Sequence, residues 1–235
     1  MKQLIILSVL SIVLFSCQGT RSNYEIDGTA KGVSDGAKIY LKRITENGRE
    51  HIKDTAIIAD GKFRMSGKVA EPTIHFMSSD KMQGQLIFML ENSNIDINLN
   101  KDNLMLSKIT GSKSNKGFIL FRAGMDSIRE ESRKIVYKYR SEGLSSGKEV
   151  RDSLHKLLEK SSIATQDYPL TYVKKYNDNY FSLNLIGLEA NKPNFDAIAF
   201  REAFENLSPE LKDSPKGIKT KQKLDSLIVL KNKNK

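Results

Sequence analysis

The chain has 235 residues, 39% apolar and 28% charged, which suffices for one large domain or two small ones around an ordinary buried core. Its formal charge of +10 invites a nucleic-acid reading, but residues 24–111 hold 12 basic and 12 acidic side chains, 112–211 hold 16 and 14, and 212–235 hold 8 and 2. The excess is therefore a local basic tail, and a single cysteine excludes any disulfide within the chain.

The first predicted element is a leader. "MKQLIILSVLSIVLFSC" opens with Lys2 and continues as an apolar run of about twelve residues from Leu4 to Phe15, broken only by Ser8 and Ser11. A membrane-spanning helix needs roughly twenty apolar residues, so this run reads as the h-region of a secretory signal. Leu14-Phe15-Ser16-Cys17 is similar to a bacterial lipobox. On that reading residues 1–16 are a lipoprotein signal peptide, cleavage falls just before Cys17, and the cysteine sulfur carries lipid. The thiol is then consumed by the anchor. Residues 17–23 follow as a small, polar, lipidated tether.

From Tyr24 to Gly111 the punctuation is that of β-structure. In "AKIYLKR" (37–43) Ile39 and Leu41 alternate with Lys38, Tyr40 and Lys42. Asn47-Gly48 and Asp60-Gly61 supply the positive φ that tight hairpin turns require. Phe63 and Met65 alternate with Lys62, Arg64 and Ser66; "TIHFMS" (73–78) and "GQLIFMLE" (84–91) follow. "NIDINLN" (94–100) sets Ile95, Ile97 and Leu99 against polar neighbours, and "LMLSKIT" (104–110) closes the set. Seven or so short strands at this spacing predict an antiparallel β-sandwich or partial barrel over residues 24–111.

The period changes at Ser112. Phe118, Phe121, Met125, Ile128, Ser132, Ile135 and Tyr139 recur at three- and four-residue steps, which predicts a long helix ending at Gly143. A second helix is predicted from Lys148 through Leu158, with Pro169 opening a separate segment. Residues 179–191 and 194–207 also read as helical, and Ser208-Pro209 and Ser214-Pro215 read as helix starts. The fold class expected is therefore α+β: a sandwich, then an all-helical region over 112–230, then a basic disordered tail over 231–235. No repeat or low-complexity linker separates the halves, so they are expected to pack together.

This arrangement resembles the domain of unknown function 4369, the N-terminal region of thioredoxin-like lipoproteins of Bacteroidetes. The resemblance rests on "YEIDGTAKGVSDGAKIYLKR", "DTAIIADGKFRMSGKVAEPTIHF", "FMLENSNIDINL" and "KITGSKSNKGF", with "DYPLTYVKKYNDN" falling where that family has a short proline-led helix. Many such relatives continue into a thioredoxin fold with a Cys-x-x-Cys pair. This sequence has one cysteine and no tryptophan. Thiol–disulfide exchange needs a nucleophilic thiolate and a resolving partner, so the resemblance implies fold, export and lipidation and not redox activity.

No catalytic, metal or cofactor-binding residue is assigned from the sequence; the assigned site is the lipidation at Cys17. His51, His75 and His155 lie far apart without ligand spacing and each reads as a structural or exposed residue; the alternation of its strand leaves His75 able to face the sheet surface. "NSNIDINLNKDN" lacks the glycine and glutamate of a calcium loop, and "GLSSGKEV" lacks the spacing of a phosphate loop. Tyr137, Tyr139, Tyr168, Tyr172, Tyr176 and Tyr180 line either a ligand groove or the helix–sheet rim. The expectation is a non-catalytic, membrane-anchored lipoprotein of the cell envelope, in the outer membrane facing the periplasm or the surface. It would act as a binding or scaffolding module, with the membrane and an envelope protein as partners and no cofactor. Export excludes nucleic acid. The alternatives are a redox accessory that docks a separate thioredoxin-like protein, and a module for peptide or glycan.

Overall fold

The structure, a computed structural model, describes residues 23–45, 48–143 and 146–233. The leader, Cys17 and Asn47 of the expected Asn47-Gly48 turn lie outside the described residues. Strands β1 (Tyr24–Thr29), β4 (Lys62–Gly67), β7 (Asn94–Asn98) and β8 (Lys108–Thr110) form one sheet in the order β4-β1-β7-β8. Strands β2 (Lys38–Ile44), β3 (Glu50–Ile57), β5 (Thr73–Ser79) and β6 (Leu86–Leu90) form a second in the order β3-β2-β5-β6. Pairing is antiparallel except between β1 and β7, which run parallel with Ile26 opposite Ile95.

The two sheets close on one apolar core. Ile26, Ile39, Leu41, Phe88 and Leu90 are fully buried, and Ile95, Ile97 and Leu99 fill it from β7 and just beyond, as their alternation predicts. Asp60 and Gly61 sit at φ 51° and 67°, a left-handed pair that reverses the chain between Ala59 and Lys62. "LMLSKIT" is shorter as a strand than its pattern suggests. Asn103 accepts from Met105 N–H and caps a 3-10 turn over Leu104–Leu106, so only Lys108–Thr110 pairs with β7.

Helices α1 (Lys113–Lys138), α2 (Lys148–Lys175), α3 (Tyr180–Glu189), α4 (Ala197–Glu205), α5 (Pro209–Asp213) and α6 (Pro215–Lys233) follow. The expected face of α1 is the covered one: Phe118 and Met125 are buried, and Phe121, Ile128, Ser132 and Ile135 are half-buried. Ser112 caps α1 by accepting from Asn115 N–H at 2.9 Å. Five residues of π-helix, Tyr139–Gly143, close it. Pro169 does not open a new segment; α2 is continuous through it. An internal proline costs about 3 kcal/mol of helix. Tertiary packing offsets that cost here, because Pro169, Tyr172 and Val173 are all buried against the helical core. The last helix carries Lys231–Lys233, so those residues of the expected basic tail are helical.

The outer face of β5 and β6 is the floor of the helical region. Ile74, Ile87 and Met89 pack into a second core with Phe118, Phe181 and Leu185. Polar bonds stitch the seam: Asn115 Oδ1 accepts from Met89 N–H at 3.1 Å, the Glu91 carboxylate accepts from the Ser114 N–H and hydroxyl, and Asn184 donates to Pro72 C=O at 3.3 Å. Asn115 thereby covers an open hydrogen-bonding position on the edge strand β6.

Candidate functional site

Of the residues weighed from sequence, Cys17 lies outside the described residues, His155 is exposed on α2, and the tyrosines divide. Tyr137 is exposed, while in the helical core Tyr168 stacks on Phe121 and Tyr172 meets the rings of Phe121, Tyr176 and Phe181. Tyr172 OH donates to Gly117 C=O at 2.7 Å, and burial pushes its phenol well above the ordinary range. These rings build the core rather than a groove.

His75 is not on the sheet surface. It is 1% exposed and shares the inner face of β5 with Met77. Period-two alternation does not assign its side, because on the opposite face Ile74 packs against the helical core and Phe76 is half-buried. The strand register then brings distant residues together. His51 pairs with Arg43 across β3 and β2, and one step beyond the Lys42–Phe76 pair sets Arg43 level with His75, itself opposite Phe88. Between Leu41–Asp54 and Lys42–Ile52 the register slips, leaving Lys53 as a bulge residue. Such a bulge re-aims a side chain: Lys53 Nζ donates to Lys68 C=O at 3.0 Å and lies 5.8 Å from the Tyr24 ring centre.

These residues wall a cavity of about 440 Å³ at the end of the sandwich, closed by the β4–β5 loop and by Lys216 at the start of α6. The loop is fixed at both ends. Asn92 clamps Val69, accepting from its N–H at 3.0 Å and donating to its C=O at 2.8 Å. Glu71 accepts from Tyr180 OH at 2.5 Å and from Lys216 N–H at 3.0 Å, which places a carboxylate at the positive end of α6. Burial and this bond to Glu71 raise the Tyr180 phenol well above its usual range.

The electrostatics are one-sided. Arg43, Lys53, Lys68 and Lys216 line the cavity, and none joins an ion pair among the described residues. Lys216 Nζ donates to Asn184 Oδ1, and burial lowers its pKa against the opposing pull of Glu71. His75 Nδ1 stands 3.2 Å from Thr73 C=O. A carbonyl only accepts, so Nδ1 carries the hydrogen and Nε2 is a bare lone pair with no hydrogen-bond partner among the described residues. Burial first, and the charges of Lys53 and Arg43 after it, hold the ring at about 4, so it is neutral at physiological pH. The arrangement is a basic pocket that counts a buried histidine with an unpartnered ring nitrogen among its lining residues.

A larger depression of about 710 Å³ lies over the outer face of the other sheet. Its lining mixes Asp27, Asp96, Arg64 and Lys108, and Arg64 already bonds Asp27 at 2.6 Å. With both signs exposed and partly paired it has no directed chemistry. Among the described residues no group of three or more His, Cys, Asp or Glu side chains is placed to hold a metal ion.

Sequence reading weighed His51 and His75 as separate residues. Only the pairing of β2 with both β3 and β5 joins them, together with Arg43 and Lys53. No curated protein matches the chain. The model of one family, described as Domain of unknown function (DUF4369), matches residues 24–118, which are the whole sandwich and the first turns of α1. The basic pocket is therefore walled mainly by the stretch that the DUF4369 model matches and closed by a helix beyond it.

Proposed function

We propose that the protein is a lipoprotein of the bacterial cell envelope, tethered by acylated Cys17 in the outer membrane and facing the periplasm or the cell surface, where it serves as a non-catalytic binding module. The observation that carries the reading is Leu14-Phe15-Ser16-Cys17 behind an apolar run too short to span a bilayer. Each acyl CH₂ buried in lipid is worth about 0.8 kcal/mol, and two or three chains hold where one is marginal. Among the described residues no helix is long and apolar enough to cross a membrane. The binding part of the reading is supported by the seam cavity, whose charged lining is four basic side chains and one carboxylate already engaged by Tyr180 and Lys216.

The test is to express the full chain in a bacterial host fed an alkyne fatty acid and to partition the extract with Triton X-114. Wild type should carry the label and enter the detergent phase, and Cys17→Ser should lose both. Unlabelled wild type in the aqueous phase would overturn the proposal.

A further inference from the structure

We propose that the seam cavity binds the phosphate group of a small ligand, with Arg43, Lys53 and Lys68 as counter-charge and Nε2 of His75 accepting a hydrogen bond from the ligand's P–OH. This deepens the reading of the protein as a binding module and rests on it.

Charge selects the class. Four cationic side chains face the cavity, and its one carboxylate, Glu71, already accepts from Tyr180 and from Lys216. A cleft lined by one sign concentrates ions of the other. A phosphate group carries roughly −1.5 to −2 at neutral pH, which matches the surplus better than the single charge of a carboxylate. Arg43 adds a planar fork suited to two phosphate oxygens.

His75 narrows the choice further. A buried polar atom without a partner calls for an explanation, and Nε2 of His75 is one of two such side-chain atoms among the described residues. With Nδ1–H committed to Thr73, the ligand must bring the hydrogen. A donor hydrogen on a group that is also anionic is what inorganic phosphate offers in both its neutral-pH forms, what a phosphate monoester offers as its monoanion, and what fully ionised sulfate lacks. Volume limits the rest: about 440 Å³ lies toward the small end of ligand sites, so the phosphate bears at most a compact substituent.

Calorimetric titration of the purified full chain in detergent at pH 7 and low ionic strength tests this, with inorganic phosphate, glycerol 3-phosphate and sulfate as probes. Phosphate should bind saturably and at least about tenfold more tightly than sulfate, the scale of one lost hydrogen bond to a charged group. Arg43→Gln with Lys53→Gln should weaken phosphate by about tenfold or more, with circular dichroism to check the fold, because Lys53 also bonds Lys68 C=O. His75→Leu should bring phosphate and sulfate to similar affinities. His75→Gln, which keeps hydrogen-bonding capacity, serves as a second variant should the leucine protein not fold. A preference for glycerol 3-phosphate identifies an esterified ligand, and the reverse preference identifies free phosphate. The proposal is overturned if neither phosphate binds by about 10 mM, if sulfate binds as well as phosphate, or if the Arg43/Lys53 variant binds unchanged. Acylation of Cys17 is scored independently, so failure of the anchor and failure of the phosphate site are told apart.

Discussion

Acidification from pH 7 to pH 5 should destabilise the protein through His75, and the size of the loss follows from its surroundings. In the folded chain the ring is held at about 4 by burial and by the charges of Lys53 and Arg43; its ordinary value is 6.5. Between those values the unfolded state binds the proton and the folded state does not. Stability is therefore full above the unfolded value and falls as the pH drops toward the folded one. The full difference is worth about 3 kcal/mol, of which about 2 kcal/mol is lost between pH 7 and pH 5. Carboxylates also contribute acid sensitivity, so the comparison is with His75→Gln, which has nothing to titrate there. Urea unfolding followed by circular dichroism at both pH values gives four stabilities. The wild type should lose about 2 kcal/mol more than the variant over this interval. Equal losses would refute the placement of a neutral imidazole inside the sandwich.

Three further substitutions probe the frame around the site. Asn115→Ala removes the acceptor that meets Met89 N–H on β6, and thermal melts should show a loss of about 1–2 kcal/mol. Tyr172→Phe removes the hydroxyl that donates to the Gly117 carbonyl in the helical core and should cost about 1 kcal/mol by the same assay, with little change in helix content. Gly111 has φ 88°, and a Cβ there would sit 2.0 Å from the Asn94 carbonyl oxygen, so Gly111→Ala should cost upwards of about 2 kcal/mol or leave insoluble protein.

The local patterns were legible where one side of an element meets water. Ile39 and Leu41 on β2, Ile95 and Ile97 on β7, and the Phe118-to-Ile135 stripe of α1 were read onto the sides they occupy. Even Ser132, an odd member of an apolar stripe, has a reason to be there: its hydroxyl meets that of Ser161 on α2. Legibility failed where both sides are covered or where the partner is distant in sequence. For His75 alternation carries no information about direction, because Ile74 on the second face of β5 is packed against the helical core. Pro169 reads as a boundary because a proline's local cost is visible in sequence, whereas the burial of Tyr172 and Val173 that outweighs it is not. The parallel pairing of β1 with β7 joins residues about 70 apart, and the basic pocket depends on β2 lying between β3 and β5. Neither follows from any local run of residues.

The central claim is that Cys17 carries lipid and that the folded part works from a membrane surface. Mass spectrometry of the N-terminal peptide, from protein isolated in its native host, tests it most directly. A peptide beginning at residue 17 with two or three acyl chains on Cys17 is the predicted result; an intact leader, or a Cys17 thiol free of lipid, would contradict it.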